Sequence, residues 1–254
     1  MQRYGGTLIH HCRDEFGALE IVDVHGILSL HFGTPPKQSA RALDDPDHVE
    51  LPYIRAMLGG LAFGGDPQRV LILGLGGGTL ASCLLGRFEH CRIDAVELRP
   101  QVVELAHRFF ALPRDPRLTV HIGDAAAFVR SPQRAYRYDL ILVDAYNQEG
   151  MDHGTLAAEF FESCGRLLSQ VGVLVINLWG THRVALHNST ELLRRFFPRR
   201  CRLLPVPNRG NIVGFGLPHE LTMAGLDSVM LRARELEIRL GVELPSLLMR
   251  LKVL

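Results

Sequence analysis

The segment Val70-Leu71-Ile72-Leu73-Gly74-Leu75-Gly76-Gly77-Gly78-Thr79-Leu80 constrains this chain more than any other. An apolar run of strand type enters a glycine turn, and a helical pattern follows. Glycine at Gly74, Gly76 and Gly78 permits a sharp turn and lets a ligand approach the backbone, because no Cβ intervenes. Glu97 closes the next apolar run, Ile93-Asp94-Ala95-Val96-Glu97. A carboxylate there can accept hydrogen bonds from both ribose hydroxyls of an adenosine. Strand, turn, helix and acid together predict a nucleoside-binding site; the turn alone also fits a plain β–α connection.

A chain of 254 residues, 47% of them apolar, suffices for one full domain and a small appendage. The formal charge of +1 gives no global attraction to nucleic acid or to an anionic membrane, so neither is expected as a partner. The five cysteines are scattered, odd in number and without a CxxC pair, which fits reduced thiols in a cytoplasmic protein. Met1-Gln2-Arg3-Tyr4 leads into no signal-type stretch, and no apolar run reaches membrane-spanning length. The twelve histidines show no HxxxH or HxH spacing, and His10-His11 would point to opposite faces of a strand. No metal site is expected.

Short strands are predicted at Thr7-Leu8-Ile9, Leu19 to Val24 and Ile27 to Phe32, punctuated by Phe16-Gly17 and His25-Gly26. They make a small meander, too small to be stable alone. Gly33 to Asp47 reads as a polar loop, and residues 1–48 as an N-terminal unit. Val49, Tyr53, Met57 and Leu61 then fall at helical spacing, in a helix expected to dock the meander on the main domain, 49–254. From Arg69 strands at 70–73, 93–97, 118–122, 139–143 and 172–178 alternate with helices near 79–88, 100–111, 124–130 and 155–168. Runs such as Leu140-Ile141-Leu142-Val143 are apolar without alternation, as in a parallel sheet covered on both faces. The fold class is α/β, a doubly wound Rossmann-like sheet. After a helix at 183–196, strands at 201–206 and 211–217 are separated by Pro207-Asn208-Arg209-Gly210 and must form a hairpin, so one of them runs antiparallel. A helix from Met223 ends the pattern.

That hairpin bears on the ligand. A dinucleotide-binding domain of dehydrogenase type is usually followed by a separate substrate domain, for which no room remains here. A sheet that finishes in a β-hairpin is the habit of S-adenosylmethionine-dependent transferases. Their ligand edge here would carry Gly74 to Thr79, Glu97, Gly123-Asp124 and Asp144-Ala145-Tyr146-Asn147. Asp124 is either a helix N-cap or an acceptor for the adenine amino group. Asp144 ends a fully apolar strand, where an acid has no packing reason to be, although a cap or surface turn also accommodates one.

These residues resemble the spermidine synthase family, the polyamine aminopropyltransferases, in its divergent spermidine synthase-like form. The meander, the Tyr53 helix, the glycine loop, Val96-Glu97, Asp115-Pro116-Arg117-Leu118 before Gly123-Asp124, and Asp144 follow that family's order. Glu159-Phe160-Phe161 is similar to its Glu-Phe-Tyr segment, and Asn177-Leu178-Trp179 to the divergent branch. The resemblance implies that a primary amine such as putrescine attacks the aminopropyl group of decarboxylated S-adenosylmethionine, a co-substrate rather than a resident cofactor. It implies Asp144 as base, Tyr53 as an active-site aromatic, and Tyr146 and Asn147 as amine-facing residues. Tyr53 is equally readable as a helix aromatic packed on the sheet. A homodimer is expected by the same analogy. Two positions depart from the family: Thr79 and Asn147 stand where it carries acids that meet cationic groups. Glu50, Glu149 and Asp152 are possible substitutes. With Thr79 neutral, ordinary S-adenosylmethionine would also fit. Methyl transfer and a catalytically idle relative thus stand beside aminopropyl transfer. The arginines between Arg194 and Arg202 read as a solvated helix face in preference to an RNA surface.

Overall fold

The computed structural model describes residues 1–131, 137–147, 150–151, 157–180, 183–207, 209–220 and 222–254. The chain begins with an antiparallel sheet in sequential order: β1 (Gln2–Arg3), β2 (Gly6–Asp14), β3 (Gly17–Val24), β4 (Ile27–His31) and β5 (Lys37–Ala42). Strand β5 lies inside the segment that reads as a polar loop. Its Lys-Gln-Ser-Ala-Arg-Ala run holds no β-branched or aromatic residue, so propensity gives no signal. Pairing with β4, with Leu30 opposite Ser39 and Ile27 opposite Ala42, holds it extended. The helical spacing from Val49 to Leu61 is realised over a shorter stretch, α1 (Pro52–Leu58), with Pro52 at its start, and a 3₁₀ turn at Gly59–Ala62.

The main sheet follows in the sequence β6 (Arg69–Leu73), α2 (Thr79–Arg87), β7 (Arg92–Glu97), α3 (Pro100–Phe109), β8 (Leu118–Ile122), α4 (Ala125–Arg130) and β9 (Tyr138–Val143). A small hairpin, β10 (Tyr146–Asn147) with β11 (Gly150–Met151), precedes α5 (Ala158–Leu167), β12 (Leu168–Trp179) and α6 (Arg183–Phe196). Strands β13 (Cys201–Pro205) and β14 (Asn211–Gly216), then α7 (Met223–Leu240), α8 (Leu244–Leu248) and β15 (Lys252–Val253), complete the chain. The order is β15-β13-β14-β12-β9-β6-β7-β8. Strands β12, β9, β6, β7 and β8 are parallel, and β14 runs antiparallel to both β12 and β13. The sequence signals neither α8 nor β15; a two-residue strand of Lys252-Val253 has no period to read.

Alternate residues of each central strand enter opposite layers. Val70 and Ile72 join the core under α1, α2 and α7, whereas Leu71 and Leu73 join the one under α4, α5 and α6. This double burial explains why those strands read as unbroken apolar runs. Phe160 and Phe161 are fully buried in the second layer, so their segment serves packing.

The N-terminal sheet docks through α3, with α1 in a minor part. Leu19, Ile21, Leu28, Leu30 and Phe32 pack on Val102, Leu105 and Phe110. From α1 the link to β5 is the Tyr53 hydroxyl, which donates to the Gln38 carbonyl at 3.3 Å. At the start of α3, Arg99 donates to both Asp14 carboxylate oxygens at 2.7 and 2.9 Å and to the Gly17 carbonyl at 3.0 Å. Its guanidinium lies 4.7 Å from the centre of the Phe32 ring. The paired side chains are only 5% and 8% exposed, so neither charge is solvated if the other is lost. Removing one partner of such a pair costs about 3–5 kcal/mol, and removing both in favour of apolar groups costs much less. Asp14→Ala is therefore expected to lose about 3 kcal/mol or more in urea unfolding, and Asp14→Leu with Arg99→Met to recover most of it. A loss under about 1 kcal/mol in the single variant would contradict the pairing as the anchor of the two sheets.

Candidate active site

The C-terminal ends of β6, β7, β8 and β9 open into one crevice, where the order of strands turns between β6 and β9, the usual ligand position in wound sheets. Gly74, Gly76, Thr79, Glu97, Gly123, Asp124 and Asp144 all line a cavity there. Its other wall comes from the N-terminal sheet and the residues just before and within α1: Phe16, Phe32, Gln38, Ser39, Leu51 and Ile54. Sequence reasoning missed this wall. Gln38 and Ser39 sit in the segment read as loop, and only the strand pairing brings them to the glycine turn.

The glycine turn is held by protein groups on every side. Glu97 is 7% exposed, and one carboxylate oxygen accepts from the Leu75 and Gly76 amides at 3.1 and 3.3 Å. The other accepts from the Arg99 amide at 3.1 Å. Burial raises the Glu97 carboxyl, and these three amides oppose the rise by favouring its ionised form. A carboxylate offers about four lone-pair sites, so room remains for a ribose hydroxyl. Ser39 Oγ accepts from the Gly77 amide at 2.6 Å. Gly74, at φ +93°, faces the Asp144 carbonyl; a Cβ there would lie 2.3 Å from that oxygen. The β6 and β9 turns are thus packed backbone to backbone, with the Asp144 amide donating to the Leu73 carbonyl at 2.8 Å. Gly78 does not line the cavity. A Cβ on it would meet Leu112 at 2.6 Å, and it serves as the left-handed residue that opens α2.

Asp124 combines the two roles that the sequence leaves open. Its carboxylate caps α4 by accepting from the Ala127 amide at 2.6 Å, and it also borders the cavity. Asp144 occupies the junction of this cavity with a second one of about 520 Å³, whose walls include Tyr53, Asn177, Trp179 and Asn211. Asn177 donates from Nδ2 to Asp144 Oδ1 at 2.8 Å, and Asn211 donates to Asn177 Oδ1 at 3.0 Å. Asn177 is 2% exposed, so the relay fixes its amide orientation and, through it, the Asp144 rotamer. Burial pushes the Asp144 carboxyl up to about 7; Asn177 and Tyr53 oppose the rise, and the nearby Glu97 charge adds to it. Nothing in the sequence marks Asn211 as part of the site. Tyr146 and Asn147 form β10 beside it, but their side chains, like Glu149 and Asp152, lie outside the described residues. Glu50 borders the second cavity. Among the described residues no cluster of His, Cys, Asp or Glu is arranged to hold a metal ion, and no helix is long and apolar enough to cross a membrane.

A wound, mostly parallel sheet with a reversed strand in its closing hairpin is the class I methyltransferase type of fold. Human methyltransferase-like protein 13, solved with S-adenosylhomocysteine, has it at a TM-score of 0.68, with 23% identity over 75% of this chain and 93% of that one. A probable spermidine synthase from Corynebacterium glutamicum matches at a TM-score of 0.75 and 22% identity, covering 91% of this chain and 87% of that one. In sequence, the polyamine aminopropyltransferase of Chromobacterium violaceum is 33% identical over 92% of this chain and 89% of its own. The spermine/spermidine synthase domain model matches residues 53–213. The chain belongs to the spermine/spermidine synthase family.

The hold on the glycine turn has a measurable consequence. Glu97→Gln replaces an acceptor of three amides by a group whose NH₂ must face at least one of them. The expected loss is about 2 kcal/mol in urea unfolding, the scale of an unsatisfied buried group. A variant as stable as the parent would show that Glu97 does not hold the turn.

Proposed function

We propose that this protein transfers the aminopropyl group of decarboxylated S-adenosylmethionine to a primary amine. The single observation that carries the reading is the position of Asp144, in the wall shared by two adjoining cavities and next to Glu97 and Tyr53. One cavity suits the nucleoside. Glu97 would take a ribose hydroxyl on its remaining lone pair, Asp124 the adenine amino group, and the backbone at Gly76 and Gly123 gives close approach. The other suits the acceptor. Membership of the family and the polyamine aminopropyltransferase of Chromobacterium violaceum support the same reaction.

The acceptor nitrogen, once neutral, forms a bond to the aminopropyl methylene attached to sulfur. The carbon–sulfur bond breaks, and its electron pair stays on sulfur as the neutral thioether of methylthioadenosine. The nitrogen then carries an extra proton, which Asp144 accepts when ionised. Tyr53 and Asn177 favour that ionised form, and Asn177 aims the carboxylate. Placing the two reactants in adjoining cavities supplies orientation, which accounts for much of the rate in such displacements. The five thiols are free, which supports a reducing, cytoplasmic setting. A homodimer forms part of the same proposal, and light scattering checks it.

Purified protein given decarboxylated S-adenosylmethionine and a panel of primary amines should release methylthioadenosine. Release of S-adenosylhomocysteine from ordinary S-adenosylmethionine instead would make it a methyltransferase, and nucleoside binding without either product an idle relative. Asp144→Asn should lower kcat by at least about 100-fold while methylthioadenosine affinity stays within about threefold. Equal loss of both would demote Asp144 to a structural role.

The pH dependence has a fixed sign. Asp144 must be ionised to accept the proton, and its carboxyl is raised to about 7. kcat/KM should therefore fall below about pH 7, far above the ordinary carboxylate range. Asn177→Ala removes a hydrogen bond to the ionised form, so its acid limb should lie higher still. The folded-state value exceeds the unfolded one, so ionisation opposes folding: the associated stability is full below about pH 4 and lost as pH rises through about 7. Asp144→Asn should accordingly stabilise the protein more at pH 8 than at pH 4. The opposite ordering in thermal melts would refute the buried carboxylate.

A further inference from the structure

The acceptor cavity is lined by two cations where a diamine would need anions. Lys37, at the start of β5, and Arg209, in the turn before β14, both border it and are both solvent-exposed, which puts them at its mouth. No carboxylate of the described residues bonds either side chain. Elsewhere the arginines are commonly paired, as in Arg55 with Glu243, Arg99 with Asp14 and Arg239 with Asp66. The carboxylates on the cavity wall are Glu50 and Asp144. Asp144 belongs to the attacking end, which leaves Glu50 as the one other carboxylate of the described lining residues against the two cations. Asp144, Asn177, Asn211 and Arg209 all line this one cavity, so the base and the arginine border the same space.

A diamine that has lost the proton from its attacking nitrogen still carries an ammonium at its far end. That ammonium would meet Arg209 and Lys37, and like charges repel across a partly desolvated cavity. A carboxylate at the far end would meet a forked donor matched to its two oxygens, plus a second positive charge.

We propose that the acceptor is an amino carboxylate, a primary amine whose far end carries a carboxylate held by Arg209 and Lys37. The inference rests on the aminopropyl-transfer reading and names its substrate class. The bond changes are those of that reading: nitrogen gains the aminopropyl carbon, sulfur keeps the electron pair of the broken bond, and Asp144 takes the displaced proton. The product is a secondary amine that retains its carboxylate.

The test uses the full chain with decarboxylated S-adenosylmethionine and three acceptors: putrescine, 4-aminobutyrate and ornithine. Methylthioadenosine release and product mass are read for each. At least one amino carboxylate should exceed putrescine in kcat/KM by about tenfold or more. Arg209→Glu, at an exposed turn, should shift the ratio of the two at least tenfold towards putrescine, and Arg209→Lys should restore part of the difference. Circular dichroism and methylthioadenosine binding check that each variant is folded. Methylthioadenosine release with putrescine in preference to both amino carboxylates overturns this inference and leaves aminopropyl transfer standing. An unchanged ratio in a folded Arg209→Glu variant also overturns it. No release with any of the three, or with the wider amine panel, overturns the transfer reading and this inference with it.

Discussion

The Glu97 carboxylate is the interaction on which the rest of the structure depends. It is buried, it accepts three backbone amides, and those amides belong to two different turns. Through Leu75 and Gly76 it holds the bend after β6; through Arg99 it holds the start of α3. Arg99 in turn grips Asp14 of the N-terminal sheet. One carboxylate thereby fixes the relative position of the glycine bend, α3 and the N-terminal sheet, whose residues wall the cavity at the sheet edge. That work takes three of about four lone-pair sites, and in the proposed function the remaining one receives a ribose hydroxyl. In that proposal binding and scaffold share one carboxylate, so a change at Glu97 alters both.

Much of the fold was legible because periodicity carried it. The apolar runs of β6, β9 and β12 had no alternation because alternate residues enter two cores, and Pro207 to Gly210 left only a hairpin between β13 and β14. What was not legible has a common physical cause. Strand β5 is held by cross-strand pairing with β4 and not by its own residues, and β15 is too short to show a period. The N-terminal sheet docks mainly on α3 and only in part on α1; both helices carry apolar faces, and nothing local says which one meets the sheet.

The candidate site divides in the same way. Acids at strand ends announce themselves, since Glu97 and Asp144 interrupt apolar runs. Partners that arrive from elsewhere in the chain do not. Ser39 and Gln38 come from the unread strand, and Asn211 reaches Asp144 only through Asn177 across β12 and β14. The glycines were legible as a turn but not as to what they make room for. Gly74 clears the Asp144 carbonyl and Gly78 clears Leu112, so protein packing accounts for both at least as directly as a ligand does.

In the proposed function Glu97 and Asp144 address two ends of one adenosyl ligand, the first its ribose and the second its reacting carbon. A crystal structure with methylthioadenosine tests this most directly. The expected arrangement is one ribose hydroxyl on the Glu97 carboxylate, with the thioether sulfur turned towards the opening into the second cavity and Asp144 within about 5 Å of the line of attack. A nucleoside seated with its ribose away from Glu97, or with its sulfur facing α4 and Asp144 out of reach, would contradict it.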